Sequence, residues 1–253
     1  MELKSSYLII PSAGKSSRMR SNLPKNLVKV SGRSFINYLL EEVIDAYSQI
    51  LIPIPDSDEA EKLYYQLIES RFLDKITFIR SVPGSGDAKA IIDAFNYMKK
   101  DAWAFVIWGD SFIQNKLILR DLHKMISSVS NIPTAFVPLT YEKAPYVEYL
   151  IKGNRIYDVK LSRYEGPIGE GFTDNSIFLL SYNFLLELKK LYSMNSDIQD
   201  FSLLKAFSDL SEACQILPVI LNEKVSISFN NLTELELVIS RLSKIKQISS
   251  TTK

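Results

Sequence analysis

Short apolar runs alternate with amphipathic segments along the first half of this 253-residue chain. Residues 7–10, 50–54, 75–80 and 103–108 have the length and composition of buried strands. Apolar residues at helical spacing predict helices over 35 to about 47 (capped by Ser34), about 57–70, 87–99 and about 117–127. This alternation predicts a mixed, mostly parallel α/β sheet flanked by helices, with ligands at the carboxyl ends of its strands.

The second half has more strand patterns and fewer helices. We predict strands over residues 134–139, 146–151, 155–161, 173–180 and 216–220, with a hairpin turn at 152–155. Helices are predicted over about 182–191, 198–208 and 232–245. The pattern indicates a small antiparallel extension within one domain of residues 1–246, with a nucleotide-binding half over about 1–130 and an acceptor-binding half over about 131–246. Residues 247–253 are predicted to be a flexible tail.

The first strand is followed by a loop of small residues: Ser12, Ala13, Gly14, Lys15, Ser16 and Ser17. A glycine-containing loop after a strand brings backbone N–H groups close to an anion, and Arg18 and Lys25 add positive charge where phosphates would lie. A simple turn beside solvated cations is the alternative. The loop is not a P-loop, because Ile9 stands at the position of its first glycine. Ser16 and Met19 replace two glycines of the dinucleotide-binding pattern.

The order of residues from Tyr7 to Lys25 resembles the signature loop of the sugar-phosphate nucleotidyltransferases. In that signature, apolar residues lead through small-Ala-Gly and Ser-Arg-Met to Leu-Pro-Lys. The N-acetylglucosamine-1-phosphate uridylyltransferase domain and the small cytidylyltransferases have similar loops. The resemblance implies a Rossmann-like fold of the nucleotide-diphospho-sugar transferase type. It also implies that the six loop residues bind a nucleoside triphosphate and that Arg18 and Lys25 are catalytic.

A metal site is indicated at Asp110, which follows Gly109 at the end of an apolar strand. Carboxylate oxygens are suitable Mg²⁺ ligands, although an aspartate in a turn is the plain alternative. In the family a Gly-Asp at this point holds the metal, and Asn230 resembles the second ligand, with Asn231 as a helix cap. A glycosyltransferase with Asp-x-Asp is disfavoured, because Phe112 lies two residues beyond Asp110.

The remaining site residues are predicted by resemblance. Gly84, Ser85 and Gly86 resemble the family's second loop, which lies against the base; a helix-entry loop is the alternative reading. Asn175 resembles an asparagine that faces the sugar. Four residues are predicted to bind the acceptor: Tyr146, Glu148, Lys160 and Asn175.

Two of these positions depart from the N-acetylglucosamine enzyme. Residues 146–148 stand where that enzyme has Gly-x-Gly, and Lys160 stands where it has a glutamate. We therefore predict that N-acetylglucosamine 1-phosphate is a poor acceptor. Another phosphorylated sugar, a polyol phosphate or a choline-like acceptor is expected instead.

Composition limits the other functional classes. The chain is 46% hydrophobic and 23% charged with a formal net charge of +1, so it has no overall attraction for nucleic acid or an anionic membrane. No apolar run has the length of a membrane span, and we expect a cytoplasmic protein. Cys214 lies in an apolar run and is expected to be buried, and His123 is assigned no role.

The resemblance implies a Mg²⁺-dependent nucleotidyltransferase. Its expected partners are a nucleoside triphosphate and a phosphorylated small-molecule acceptor. A non-catalytic nucleotide sensor on the same fold is the competing hypothesis. The pattern of residues does not predict the base or the oligomeric state.

Overall fold

The computed structural model describes residues 6–14, 23–129, 132–195, 199–229, 231 and 233–240. Its strands are β1 Ser6–Ile9, β2 Lys29–Val30, β3 Arg33–Ser34, β4 Ile50–Pro55, β5 Ile76–Ser81, β6 Trp103–Ile107, β7 Ser111–Ile113, β8 Thr134–Lys143, β9 Val147–Lys152, β10 Arg155–Leu161, β11 Glu170–Asp174, β12 Ile177–Ser181, β13 Gln215–Ile220 and β14 Ser226–Ser228. Its helices are α1 Phe35–Val43, α2 Asp58–Leu67, α3 Ser70–Leu73, α4 Asp87–Phe95, α5 Leu117–Met125, α6 Ser162–Glu165, α7 Tyr182–Met194, α8 Leu203–Leu210 and α9 over residues 233–240.

Eight strands form the central sheet, in the order β11-β8-β12-β6-β1-β4-β5, with β13 paired to β8. The strands β6, β1, β4 and β5 run parallel, and β13 runs parallel to β8. The strands β11 and β12 run antiparallel to their neighbours. The predicted mixed, mostly parallel α/β sheet is therefore confirmed, and the loops after β1, β4, β5 and β6 leave the sheet at one edge.

Helices cover both faces of the sheet, as the continuous apolar strands predict. In β1, Tyr7 and Ile9 belong to one buried cluster, with side chains from α4, α7 and α8. Leu8 and Ile10 belong to the cluster on the opposite face, with side chains from α1, α2 and α5. Alternate residues of a strand point to opposite faces, so a central strand buried on both sides contains apolar residues throughout.

Smaller antiparallel pairs form separate two-stranded sheets beside the central sheet. The hairpin of β9 and β10 forms as predicted. The strands β7 and β14 also pair, with Ser228 opposite Ser111, and this pair was not predicted. Together with α9 it packs over β2 and α1 in a third buried cluster that includes Phe35, Phe112 and Phe229. The predicted cap is confirmed, because Asn231 Oδ1 accepts a hydrogen bond of 2.9 Å from the Glu234 N–H.

Several predicted bounds were wrong. The strand predicted over 173–180 is divided into β11 and β12, because six residues from Asp174 to Leu179 lie opposite four from Leu139 to Phe136. The extra residues make an irregularity at 175–176. The helix predicted to reach 47 ends at Val43. Ile44 and Tyr47 lie beyond the helix and still pack on the core, which is why the apolar pattern continues past its end. The Ser34 side chain forms no capping hydrogen bond.

Two further observations concern the single cysteine and the lengths of the helices. Cys214 is buried, as expected, and burial raises the pKa of its thiol to about 12. Within the described ranges, no helix combines the length and apolar character needed to cross a bilayer.

Candidate active site

The site forms around an ion pair between distant parts of the chain. Asp110 follows β6 at the carboxyl edge of the sheet, and Lys25 begins a 3₁₀ helix over Lys25–Leu27. The Lys25 amino group donates a hydrogen bond to the Asp110 carboxylate, and both side chains are only about one-fifth exposed. The same amino group lies 5.2 Å from the centre of the Phe229 ring. Two of the predicted site residues therefore meet, and Phe229 is a neighbour that the sequence did not reveal.

The turn after β1, residues 12–14, lies at the same edge of the sheet. Its Ser12 N–H donates to the Pro53 carbonyl at 2.9 Å, which joins the turn to β4. The Ser12 hydroxyl donates to the Ile10 carbonyl oxygen at 3.0 Å and accepts from the Asn26 side-chain amide at 2.8 Å. The Ser12 side chain therefore fixes the shape of the 12–14 turn.

Gly14 is exposed at the end of this turn. A Cβ built on Gly14 would meet no heavy atom within 4 Å among the described residues, and its φ lies outside the left-handed region. Packing within the described protein thus does not require a glycine here, whereas close approach of a ligand to the backbone would. The other predicted members of this loop, Lys15, Ser16 and Ser17, lie outside the described residues, as does Arg18, whose catalytic role stays a prediction.

The second glycine loop has a role in packing. Gly86 has a φ of +100°, and a Cβ there would lie 2.1 Å from the carbonyl oxygen of Phe201. The Phe201 N–H donates to the Ser85 carbonyl at 3.0 Å, and the Ala88 N–H donates to the Phe201 carbonyl at 3.1 Å. The glycine at 86 is explained by this backbone contact. Contact of Gly84, Ser85 and Gly86 with the base of a nucleotide stays a prediction.

Asp87, next to this loop, was not singled out from the sequence. Its carboxylate accepts a hydrogen bond of 2.6 Å from the Leu203 N–H. Burial raises the pKa of Asp87 to about 6, and the charge of Asp200 adds to this increase, while the Leu203 hydrogen bond and Arg163 act against it. Asp87 therefore joins the start of α4 to the start of α8 through a carboxyl group with an altered pKa.

Asn175, predicted to bind the acceptor, has a structural role within the sheet. Its side chain is fully buried, its Nδ2 donates to the Pro138 carbonyl at 3.2 Å, and its Oδ1 accepts from the Val225 N–H at 2.9 Å. The Ser226 hydroxyl donates to its carbonyl oxygen. The amide thus joins β8 to the segment before β14 across the irregularity between β11 and β12. The polar atoms of Asn175 are thus bonded within the protein, and its contact with an acceptor stays a prediction.

The other predicted acceptor residues lie on the β9 and β10 hairpin. Glu148 is directly opposite Lys160 in the hairpin, and both line a concavity of about 380 Å³ that residues 165–170 complete. Tyr146 is 42% exposed and lines an adjoining concavity with Pro145 and Ser162. The structure therefore groups Tyr146, Glu148 and Lys160 on one surface.

The donor set around Asp110 suits a hard cation with few protein ligands. In the part of the chain that the structure describes, no three acidic, histidine or cysteine side chains gather as a metal site. Mg²⁺ commonly takes one or two protein oxygens and completes its shell with phosphates and water, so a single, partly exposed carboxylate such as that of Asp110 fits it. Asn230, the predicted second ligand, lies outside the described residues. Its neighbour Phe229 lies beside Lys25, which contacts Asp110.

Residues 8–151, more than half of the chain, match the MobA-like NTP transferase domain. The chain belongs to this family. The match extends from β1 into β9, so it contains the 12–14 turn, Lys25 and Asp110. The NTP transferase fold thus explains why these segments converge at the carboxyl edge of the sheet.

Individual relatives agree with this assignment. The NTP transferase chain is 28% identical over 131 residues to the bifunctional protein GlmU of Francisella philomiragia, covering 51% of this chain and 28% of GlmU. It is 26% identical over 128 residues to 2-C-methyl-D-erythritol 4-phosphate cytidylyltransferase of Vibrio atlanticus, covering 50% and 52%. The match thus spans about half of one relative and less of the other. The fold resembles the inositol-1-phosphate CTP transferase of T. maritima, with a TM-score of 0.67, 16% identity and coverage of 95% and 96%.

Proposed function

We propose that this protein is a Mg²⁺-dependent nucleotidyltransferase that joins a nucleoside triphosphate to a phosphorylated acceptor. A phosphate oxygen of the acceptor attacks the α-phosphorus, the bond from that phosphorus to the β-phosphate oxygen breaks, and pyrophosphate leaves. The observation that carries the proposal is the meeting of Lys25 and Asp110 at the carboxyl edge of the sheet that also carries the 12–14 turn. Each is a group that this reaction needs, and 85 residues separate them in the chain.

The protein residues act through alignment and charge. Lys25 holds the acceptor phosphate against the α-phosphate, and its contact with Asp110 keeps the amino group at the strand end. Arg18 stabilises the β- and γ-phosphates and the departing pyrophosphate. Asp110 and Asn230 would hold Mg²⁺, which would offset the negative charge of the phosphates. We assign the phosphates to the loop of residues 12–17 and the base to residues 84–86.

The acceptor occupies the surface of Tyr146, Glu148 and Lys160. Lys160 places a cation opposite Glu148. The N-acetylglucosamine enzyme is expected to have a glutamate at the position of Lys160 and Gly-x-Gly at residues 146–148. Two of the compared proteins are named for transfer to polyol phosphates, those of erythritol and inositol. A polyol phosphate, another sugar phosphate or a choline-like acceptor is therefore preferred over N-acetylglucosamine 1-phosphate, because a hydrogen-bonding site discriminates strongly against an ill-matched ligand.

Pyrophosphate release tests the proposal. The wild-type protein is incubated with each nucleoside triphosphate, Mg²⁺ and a panel of sugar, polyol and choline phosphates, and then with a chelator in place of Mg²⁺. We expect release that requires one acceptor class and the metal, with N-acetylglucosamine 1-phosphate among the slow acceptors. Thermal stabilisation by a triphosphate without release from any acceptor would instead support the nucleotide sensor. Fastest turnover of N-acetylglucosamine 1-phosphate would contradict the acceptor assignment alone.

A further inference from the structure

We propose that Asn26 and Tyr64 are positioning residues for this site. This role rests on the nucleotidyltransferase function proposed above. The proposed function gives neither residue a contact with a substrate. Asn26 lies next to Lys25 in the 3₁₀ helix Lys25–Leu27, and Tyr64 lies on α2. Together they hold the 12–14 turn, Lys25 and the end of β6 in one arrangement.

The contacts of Asn26 join three segments. Its Nδ2 donates to the Ser12 hydroxyl at 2.8 Å, which connects it to the 12–14 turn. A Cβ built on Gly109 would lie 3.3 Å from both the Cβ and the Nδ2 of Asn26, so this side chain packs directly against the residue before Asp110. The backbone of Asn26 continues from Lys25, whose amino group contacts Asp110. One buried side chain therefore touches the turn and the strand end, and it is adjacent in sequence to the cation.

Tyr64 fixes the orientation of that side chain. Its hydroxyl lies 3.0 Å from Oδ1 of Asn26 and 3.2 Å from the Ser12 carbonyl oxygen, so it can donate its proton to either acceptor. Tyr64 is fully buried and Asn26 is 4% exposed. Burial raises the pKa of Tyr64, so the phenol stays neutral and remains a donor at physiological pH.

This arrangement predicts what happens when the hydroxyl is removed. In Tyr64→Phe, Oδ1 of Asn26 loses its donor in a buried place, and a buried acceptor without a partner is unfavourable. The Asn26 side chain then reorients, and the 12–14 turn and Lys25 lose their common support. Small misplacements of reacting groups reduce turnover strongly, so we expect kcat to fall about tenfold or more.

The chain supplies a matched control. Tyr47 is also buried, at 1% exposure, and its hydroxyl has no hydrogen-bond partner among the described residues. Tyr47→Phe removes the same atom from the core without breaking a bond. Both variants are assayed well below their unfolding temperatures, which thermal denaturation establishes. We expect kcat of Tyr47→Phe to stay within about twofold of the wild type.

A second measurement does not depend on activity. Lysines of the full chain are labelled with limiting acetic anhydride, and peptide mass spectrometry compares Lys25 with the exposed Lys190. We expect the relative reactivity of Lys25 to rise about threefold or more in Tyr64→Phe and to be unchanged in Tyr47→Phe, because a less ordered amino group spends less time paired with Asp110. If the wild-type protein releases no pyrophosphate, the proposed function fails and the labelling decides the positioning role by itself.

A double-mutant cycle completes the test. If Asn26 and Tyr64 act through one network, Asn26→Ala lowers kcat, and adding Tyr64→Phe to it lowers kcat by less than about twofold further. Unchanged Lys25 reactivity in Tyr64→Phe overturns the proposal, as does a kcat equal to that of Tyr47→Phe. Independent, multiplicative losses in the cycle also overturn it.

Discussion

Two glycines of the predicted nucleotide site should respond to alanine in opposite ways. Gly86 is required by the protein, since its φ is +100° and the backbone of Phe201 occupies the place of a Cβ. Gly14 is not required by the described protein, because the space around it is open and its φ is ordinary. We therefore expect Gly86→Ala to reduce stability and Gly14→Ala to reduce triphosphate binding.

The size of the stability loss follows from the contacts. At φ +100° and ψ 162° a non-glycine residue is strained by about 1–3 kcal/mol. A Cβ 2.1 Å from the Phe201 oxygen cannot be accommodated without moving that backbone, which weakens its hydrogen bonds to Ser85 and Ala88 by about 0.5–1.5 kcal/mol each. The total is about 2–6 kcal/mol. For a chain of this size it corresponds to a decrease in Tm of about 4–24 °C.

Thermal denaturation with and without a triphosphate measures both variants, and each is the control for the other. Gly14→Ala should unfold within about 0.5 kcal/mol of the wild type. Its triphosphate affinity should be about tenfold lower, equivalent to about 1.4 kcal/mol of binding free energy. A Gly86→Ala protein that melts within about 2 °C of the wild type would refute the Phe201 argument. Undiminished affinity in Gly14→Ala would remove the 12–14 turn from the phosphate site.

Three further predictions concern charge and packing. Asp110→Asn should lower Tm by less than about 5 °C but reduce kcat at least about a hundredfold. The control is Asp93→Asn, which breaks a similarly shielded ion pair on α4 and should leave kcat unchanged in the same assay. Phe229→Leu should lower kcat about three- to tenfold by removing the ring beside Lys25, while Mg²⁺-independent triphosphate binding is retained in titration calorimetry. The folded protein binds the Asp87 proton more tightly than the unfolded chain, so the stability that this group contributes is complete below about pH 4 and is lost as the pH rises through about 6. Asp87→Asn should therefore raise Tm relative to the wild type at pH 7 and not at pH 4; an equal difference at both pH values would contradict this.

Local sequence patterns were sufficient to predict the parallel sheet and the position of Asp110 in it. The alternation of apolar runs predicted the parallel sheet, and the position of Asp110 after an apolar strand predicted its place at the carboxyl edge. The strand Ser226–Ser228 was missed, although Val225, Ile227 and Phe229 alternate with polar residues as a half-buried strand requires. That pattern was short, and three residues carry little weight without a known partner strand.

Contacts between residues that are far apart in the chain left no comparable pattern in the sequence. No spacing rule connects Tyr64 on α2 to Asn26, because their hydrogen bond exists only after the sheet has brought α2 over the loop. The hydrogen bonds of Asn175 to the backbone were not predicted for a similar reason, since an asparagine that bonds backbone across a sheet has the same local sequence as one that faces a ligand. Gly86 resembled a ligand-binding glycine, whereas the backbone of Phe201 accounts for it.

The contact between Lys25 and Phe229 has a consequence for synthesis on the ribosome. A nascent chain can pair β1, β4, β5 and β6 once residue 107 has emerged, since all four strands lie before residue 108. The strand β14 and the Phe229 ring that flanks Lys25 emerge only once residue 229 has been added. Domains commonly begin to fold as they emerge, so the sheet can form well before the site is complete. A chain released early, before residue 226, would retain the parallel sheet and lack the ring beside Lys25.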